Sequence, residues 1–215
     1  LVVAQHPDLR WPDIRDVAPD LTHLYAARDW QPLWFDGVTP TPAALAMARV
    51  LSEAGVRGLD REDYDASFLG TLLERWRDPD RSAQDRVDLA LSVATARFAF
   101  ALRRGRISPQ SVHATLKLPV ESFDLAATVD SLARSGQPND ILRRLEPSFL
   151  HYWLLIAALV RYQHLARDSA QFVLAPMPRR LEPGAIYAGA ATLRRLLRLL
   201  GDDRDTTSAS SLDTV

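Results

Sequence analysis

One long segment, residues 83–104, constrains the fold of this chain more than any other feature. It contains "LALSVATARFAFAL", in which small and apolar side chains occupy nearly every side of a helix. A helix that is apolar all round is stable only when other elements cover it on all sides. The segment therefore predicts a central, buried helix around which the rest of the chain packs.

Most of the remaining sequence also has helical character. Pro19 and Asp20 begin a helix with Leu21 and Tyr25 on one face, and we expect it to end at Gln31-Pro32, because the residue before a proline is pushed out of the α region. Thr41 is suited to cap the next helix, with Pro42 at its first position. In that helix the predicted apolar stripe consists of Leu45, Ala48, Val50 and Leu51. Further helices are expected over 66–76, near 122–134, near 139–146 with Asn139 as its cap, and over 148–166.

These patterns predict an all-α protein, an irregular multi-helix orthogonal bundle around one core with an extended connector and a C-terminal helix. We find no alternating pattern typical of strands. The expected organisation is a helical domain over 1–168, a connector over 169–187, a helix over 188–201 and a polar, disordered tail over 202–215.

Composition excludes several classes of function. The chain has 26 Lys+Arg against 27 Asp+Glu, a net charge of −1, which disfavours a nucleic-acid partner. It has no cysteine, which excludes disulfides, thiolate metal sites and a cysteine nucleophile on this chain. The apolar run "FLHYWLLIAALV" at 149–160 is shorter than a membrane span and predicts a buried core helix. Residues after Leu1 lack the pattern of a signal peptide, so we expect none within the chain.

Sequence motifs for catalysis and metal binding are scarce. The chain lacks the common phosphate-binding, zinc-protease and serine-hydrolase motifs, and no two of its five histidines are four residues apart. Asp60, Glu62, Asp63 and Asp65 resemble the start of a calcium loop, but the required glycine and glutamate are missing. Helix capping is the favoured interpretation of these acids. We predict no metal and no cofactor.

An aromatic stretch, "YAARDWQPLWF" at 25–35, has two interpretations. Exposed aromatic side chains could form a recognition surface. Alternatively, Pro32 turns the chain so that Trp30, Trp34 and Phe35 fold back into the core. Tyr25 shares a helical face with Leu21, which favours the core. We therefore predict that Trp34 is buried.

The end of the long helix carries a second local prediction. In "LRRGRISP", Gly105 is expected to take a positive φ and the left-handed conformation that closes a helix, and Pro109 prevents the helix from resuming. Arg106 lies just beyond that end. We predict that its guanidinium makes structural contacts within the chain.

Five weak motifs occur in a fixed order along the chain. Each consists of a few spaced residues, and together they extend from the first helix to the last. In order they are Tyr25, Arg28, Pro32 and Trp34; Gly58, Leu59, Asp63 and Tyr64; Leu102, Gly105, Arg106 and Pro109; Leu145, Pro147 and Tyr152, with Leu155 next; and Leu193, Arg194, Leu197, Gly201 and Asp202.

This series resembles the N-terminal scaffold region of the large multidomain L,D-transpeptidases of Gram-negative bacteria. The resemblance implies a periplasmic protein of peptidoglycan cross-linking, whose partners are its own downstream catalytic and peptidoglycan-binding modules. It also makes peptidoglycan itself a candidate partner. Such enzymes attack a stem peptide with a cysteine thiolate. This chain has no cysteine, so no catalytic residue is carried over, and we expect no enzymatic activity from it. The helix at 188–201 resembles only the start of a peptidoglycan-binding unit.

Three functions remain open at this point. The first is a non-catalytic scaffold that orients downstream modules. The second is a stand-alone helical adaptor for protein interactions in the cell envelope. The third is a hydrolytic or lytic enzyme with an unrecognised pair of carboxylates, which an acid pair in a cleft would support. In a ligand-binding protein, Arg106 could instead grip a peptidoglycan carboxylate.

Overall fold

The computed structural model describes residues 5–77, 80–107, 122–169, 172–177, 180, 182 and 185–202. The chain divides into two compact units, Leu1–Tyr152 and Trp153–Val215, and the border between them falls inside a helix. The domain ranges expected from the sequence stay a prediction. Pro109 and residues 203–215, which include most of the expected tail, lie outside the described residues.

The described part of the chain is built from eight α-helices and one very short hairpin, so the predicted all-α fold is confirmed. The hairpin pairs β1 (Phe35–Asp36) with β2 (Thr39–Pro40) in antiparallel register, and two 3₁₀ turns span Ala54–Arg57 and Arg61–Tyr64. The helices are α1 (Ala18–Ala26), α2 (Pro42–Ser52), α3 (Ala66–Glu74), α4 (Arg81–Arg104), α5 (Leu125–Arg134), α6 (Pro138–Leu145), α7 (Leu150–Ser169) and α8 (Ala190–Leu200).

Helix α4 is the centre of the first unit. It packs against α2, α5 and α6, and its buried side chains run from Gln84 to Leu102 on nearly every side. Asp80 caps its start by accepting a hydrogen bond from the Ala83 amide at 2.7 Å. The predicted central helix is therefore confirmed. The hydrophobic core around it is built from residues between Leu9 and Leu142.

Local capping chemistry accounts for some of the predicted helix starts but not for others. Thr41 Oγ1 accepts a hydrogen bond from the Ala44 amide at 3.1 Å, as expected, but Leu45 of the predicted apolar stripe lies exposed. Asn139 is not the cap of α6, which begins at Pro138 without a side-chain cap. Instead, Asn139 Oδ1 accepts a hydrogen bond from Arg57 Nη2 at 2.9 Å, a tertiary contact that the local pattern could not reveal.

The first helix ends earlier than the Pro32 rule predicts. Helix α1 stops at Ala26 because Asp29 and Trp30 take left-handed backbone conformations, with φ of 52° and 59°. The Trp30 amide donates to the Tyr25 carbonyl at 2.9 Å and closes this turn. Trp30 is therefore directed outward and is 52% exposed, so its expected place in the core is wrong. Trp34 is fully buried and Phe35 is buried, as predicted.

Helix α7 contradicts the prediction of a buried core helix at 149–160. Leu150, Leu154 and Leu155 are all more than half exposed, and Leu155 reaches 69%. An apolar sequence is buried only where the fold supplies neighbours on every side. Within the second unit, Arg161 Nη2 of α7 donates to the Leu200 carbonyl at the end of α8 at 2.8 Å. Among the described helices none is long and apolar enough to cross a membrane.

Candidate functional site

A buried polar cluster explains the first motif. Asp88 of α4 accepts hydrogen bonds from the Tyr25 hydroxyl and from the backbone amides of Leu33 and Trp34, the amide bonds being 2.9 and 2.7 Å long. Ser92, one turn further along α4, bonds the Tyr25 hydroxyl at 2.8 Å and accepts from the Trp34 indole at 2.9 Å. Tyr25 and Trp34 of the aromatic stretch are thus buried and fixed to the central helix.

The environment of this cluster shifts two ionisation equilibria. Burial raises the pKa of the Asp88 carboxyl, although the hydrogen bonds from Tyr25, Trp34 and Leu33 act in the opposite direction. Burial also raises the pKa of Tyr25 well above its usual range, and the neighbouring Asp88 adds to this shift. Tyr25 therefore stays a neutral hydrogen-bond donor. This chemistry suits a structural anchor rather than an acid–base catalyst exposed to substrate.

The two other residues of the first motif lie at the edge of the cluster. Arg28 Nη1 forms an ion pair with Asp130 of α5 at 3.2 Å, which joins the end of α1 to α5. Pro32 is half-buried in the segment between α1 and β1. Both residues position the segment that contains Trp34.

The second and third motifs meet in space. Gly58 closes the first 3₁₀ turn in the left-handed conformation, with φ of 73°, and Leu59 packs against the core. Asp63 forms an ion pair with Arg106 Nη1 at 2.7 Å, and so joins the second 3₁₀ turn to the end of α4. Tyr64 packs edge-on against Phe98, with ring centroids 5.1 Å apart.

The end of α4 has an unusual backbone. Gly105 has φ of 80°, so the predicted positive φ is confirmed. Its ψ of 169° is extended rather than left-handed helical, so the predicted left-handed cap is wrong. The extended ψ redirects the chain sharply after Arg104. Arg106 makes the predicted contact within the chain and remains half exposed.

The fourth motif forms a buried ionic joint. Glu146, directly after α6, accepts a hydrogen bond from Arg57 Nε at 2.8 Å and another from the Tyr152 hydroxyl at 3.1 Å. Burial, followed by the charge of Glu146, raises the pKa of Tyr152 to about 12. Pro147 is half-buried in the segment between α6 and α7.

The last motif lies in the second unit and closes α8. Leu193 and Leu197 are half-buried on this helix. Gly201 has φ of 87° and takes the left-handed conformation at the end of α8, and the Asp202 amide donates to the Leu197 carbonyl at 2.9 Å. These contacts terminate the helix, and they involve no residue of the other four motifs.

One groove in the first unit combines exposed aromatic and charged side chains. It has a volume of about 300 Å³, lies between the N-terminal segment and the C-terminal half of α4, and is bounded by Trp11, Asp16, Asp63, Arg97, Phe100 and Arg106. Burial raises the pKa of Tyr64, at its base, to about 12, so this phenol stays neutral. A shallower depression continues from Trp11 and Arg97 towards Arg15.

Of the acids expected to cap a helix, Asp60 does so and Asp65 instead makes a tertiary contact. Asp60 accepts a hydrogen bond from the Glu62 amide at 3.0 Å, and Asp65 accepts one from the Arg10 amide at 2.7 Å. In the described ranges no three histidine, aspartate or glutamate residues lie close enough together to hold a metal ion. The absence of a metal and of a cofactor stays a prediction.

The sequence analysis did not identify the residues that hold the first motif in place or those that form the groove. Gln84, Asp88 and Ser92 recur every four residues in an otherwise apolar helix, a polar stripe that indicates buried hydrogen bonds. Gln84 indeed donates to the Gly37 carbonyl at 2.8 Å. Nothing local marks Trp11 and Arg97 as neighbours, because they are brought together only by the packing of the N-terminal segment on α4.

The fold and its motifs define a class of protein. The motif residues act as joints between helices, and they assemble no group of exposed catalytic side chains among the described residues. This is the behaviour of a helical scaffold module.

Comparison with known protein families agrees with this classification as a scaffold module. The family model for the scaffold domain matches residues 19–159, more than half of the chain, and the chain belongs to this scaffold domain family. The match supports a non-catalytic scaffold role. No curated protein and no solved structure matches the chain.

Proposed function

We propose that this chain is the scaffold region of a periplasmic, L,D-transpeptidase-like protein, and that it orients binding and catalytic modules during peptidoglycan cross-linking. The observation that carries the proposal is the match of residues 19–159 to the scaffold domain family. The order of the five motifs, described above, supports the more specific context. The chain contributes rigid joints, and the chemistry belongs to the modules that it holds.

The chain itself is proposed to be non-catalytic. L,D-transpeptidation requires a thiolate nucleophile, and this sequence has no cysteine. The groove contains an acid pair, Asp16 and Asp63, which a glycoside hydrolase would need. However, Asp16 is paired with Arg97 at 2.9 Å and Asp63 with Arg106 at 2.7 Å. Both carboxylates are thus engaged in ion pairs with arginine, whereas a glycoside hydrolase needs its two carboxyl groups to flank the scissile bond of the substrate.

A chimera tests the proposal. The scaffold region of a multidomain Gram-negative L,D-transpeptidase is replaced by this chain, and cross-linking of disaccharide-tetrapeptides is compared with that of the same enzyme lacking any scaffold. We expect the chimera to be the more active of the two, and the chain alone to form no cross-linked product. A folded chimera no more active than the scaffold-less enzyme, or turnover by the chain alone, would contradict the proposal.

A stand-alone adaptor is the second candidate, and the exposed side chains of Leu154 and Leu155 on α7 favour it. Exposed apolar helical surface is typical of protein-interaction sites. The chimera separates the two candidates, because an adaptor would not restore cross-linking.

A further inference from the structure

The groove beside α4 is held in place by the protein's own contacts. The Arg97 side chain is only 14% exposed and forms an ion pair with Asp16 through Nε at 2.9 Å. Its Nη1 donates to the Trp11 carbonyl at 2.9 Å, and its Nη2 donates to the Asp13 carbonyl at 2.5 Å. Arg106 and Asp63 fix the opposite wall. A ligand would therefore enter a groove that is already formed, which reduces the entropic cost of binding.

Two large aromatic rings line this groove and remain exposed. Trp11 is 52% exposed and Phe100 is 41% exposed, whereas Tyr64, which also lines the groove, is buried. The guanidinium of Arg10 lies 5.5 Å from the Trp11 ring centroid, and that of Arg104 lies 5.6 Å from the Phe100 centroid. These contacts restrict the orientation of both rings. The groove thus offers flat apolar surfaces, on which a ring-shaped ligand can stack.

The charges around the rings indicate which ligand fits. Along the groove and its continuation, three aspartates are each paired with an arginine: Asp13 with Arg15, Asp16 with Arg97 and Asp63 with Arg106. An anionic ligand would meet the carboxylates, and a cationic one would meet the guanidinium groups. A neutral chain with many hydroxyl groups both donates and accepts hydrogen bonds, so it can join these pairs without breaking them.

We propose that the groove between Trp11 and Phe100 is a non-catalytic binding site for a neutral, linear saccharide. Sugar rings stack their apolar faces on Trp11 and Phe100, and their hydroxyl and amide groups bond the Asp16–Arg97 and Asp63–Arg106 pairs. In the context of the proposed function, on which this identification of the source rests, the ligand is the glycan backbone of peptidoglycan. Arg106 then contributes to a polar rim and does not grip a stem-peptide carboxylate.

Titration of the purified chain with a neutral N-acetylglucosamine tetrasaccharide tests this site, with binding followed by calorimetry. We expect saturable binding, and we expect Trp11→Ala to weaken it by at least about tenfold, since one stacked ring is lost. Trp30→Ala is the matched control: Trp30 is also 52% exposed but does not line the groove, and this variant should bind like the wild type. Phe100→Ala provides a second loss-of-stacking variant if Trp11→Ala does not fold.

Two further measurements test the class of ligand and the absence of catalysis. The free stem tetrapeptide should not compete with the tetrasaccharide. Binding of the tetrapeptide but not of the saccharide would overturn the proposal in favour of an acidic-peptide site, as would equal effects of Trp11→Ala and Trp30→Ala. Release of shorter saccharides from the tetrasaccharide would show that the chain is catalytic and would contradict the proposed non-catalytic role. The titration uses the chain alone, without a catalytic module. A failure to bind the saccharide would therefore not affect the outcome of the cross-linking test with the chimera.

Discussion

At the scale of single residues, Asp88 is the most demanding position in the protein. Its buried carboxylate accepts from two backbone amides and from the Tyr25 hydroxyl. Asp88→Ala leaves the Leu33 and Trp34 amides without this partner, while the Tyr25 hydroxyl keeps Ser92, and each unsatisfied buried group costs about 1–3 kcal/mol. We expect a loss of at least about 2 kcal/mol in the free energy of unfolding, measured by urea denaturation.

Asp85 provides the matched control on the same helix. It is exposed and pairs with Arg81 at 3.2 Å, an i,i+4 surface pair worth about 0.3–0.5 kcal/mol. Asp85→Ala should therefore change stability by well under about 1 kcal/mol. Equal effects of the two substitutions would show that the Asp88 cluster contributes no more than a surface contact.

Gly105 is a second position where one residue type is required. Its φ of 80° and ψ of 169° lie in a region that is essentially restricted to glycine. An added Cβ meets nothing within 4 Å, so the cost of Gly105→Ala comes from the backbone alone. We expect a destabilisation of about 1–3 kcal/mol.

An alanine substitution is expected to stabilise the protein at Gly70 in α3, where an added Cβ also meets nothing within 4 Å. Alanine there favours the helix by about 0.5–1 kcal/mol, so Gly70→Ala should raise the unfolding midpoint. A stabilising Gly105→Ala would contradict the strained backbone assigned to that residue.

Tyr64 links stability to alkaline pH. Its pKa is about 12 in the folded protein, against a usual value of 10.0. Below pH 10 both states keep the proton; between pH 10 and 12 only the unfolded state releases it, so stability falls as pH rises. Tyr64→Phe should reduce this alkaline loss by up to about 1.4 kcal/mol per pH unit. Urea denaturation at a series of pH values measures it, and a profile parallel to that of the wild type would contradict the assignment.

At the scale of elements, buried ionic joints connect turns to helices. Arg57 in the first 3₁₀ turn and Glu146 after α6 are 12% and 5% exposed and lie 2.8 Å apart. Removing one partner leaves the other charge buried, which costs about 3–5 kcal/mol. We expect Arg57→Met to destabilise by about this amount, and the double variant with Glu146→Leu to recover much of the loss. A double-mutant cycle measures the coupling, and strictly additive effects would show that the joint carries no coupling energy.

At the scale of the whole molecule, the two longest described helices have different environments. Helix α4 is buried on nearly all sides, whereas α7 has Leu150, Leu154 and Leu155 exposed. Amides that open only by global unfolding are found in the best-covered elements. We expect hydrogen exchange of α4 amides to report the global free energy of unfolding, and α7 amides to exchange faster. Equal protection of both helices would show that α7 is covered in solution, for example by self-association.

The sequence by itself determined what depends on neighbours along the chain. The apolar pattern of 83–104 predicted the central helix, Thr41 and Asp60 predicted caps, and Gly105 predicted a positive φ, because helix propensity, capping and backbone sterics act over a few residues. The scaffold family was indicated by the resemblance of five ordered motifs to those of a known family. Even here the ends of α1 and the cap of α6 were decided elsewhere, by the turn at Trp30 and by the contact between Asn139 and Arg57.

Only the tertiary structure decided which distant residues meet. Asp88 accepts from amides more than fifty positions away, Asp63 meets Arg106, and Trp11 lies against Arg97. The exposure of α7 likewise depends on which elements are available to cover it, and its own apolar sequence does not contain that information. Burial and ion pairing are properties of packing between remote segments. The groove proposed to bind a saccharide therefore exists only in the folded chain.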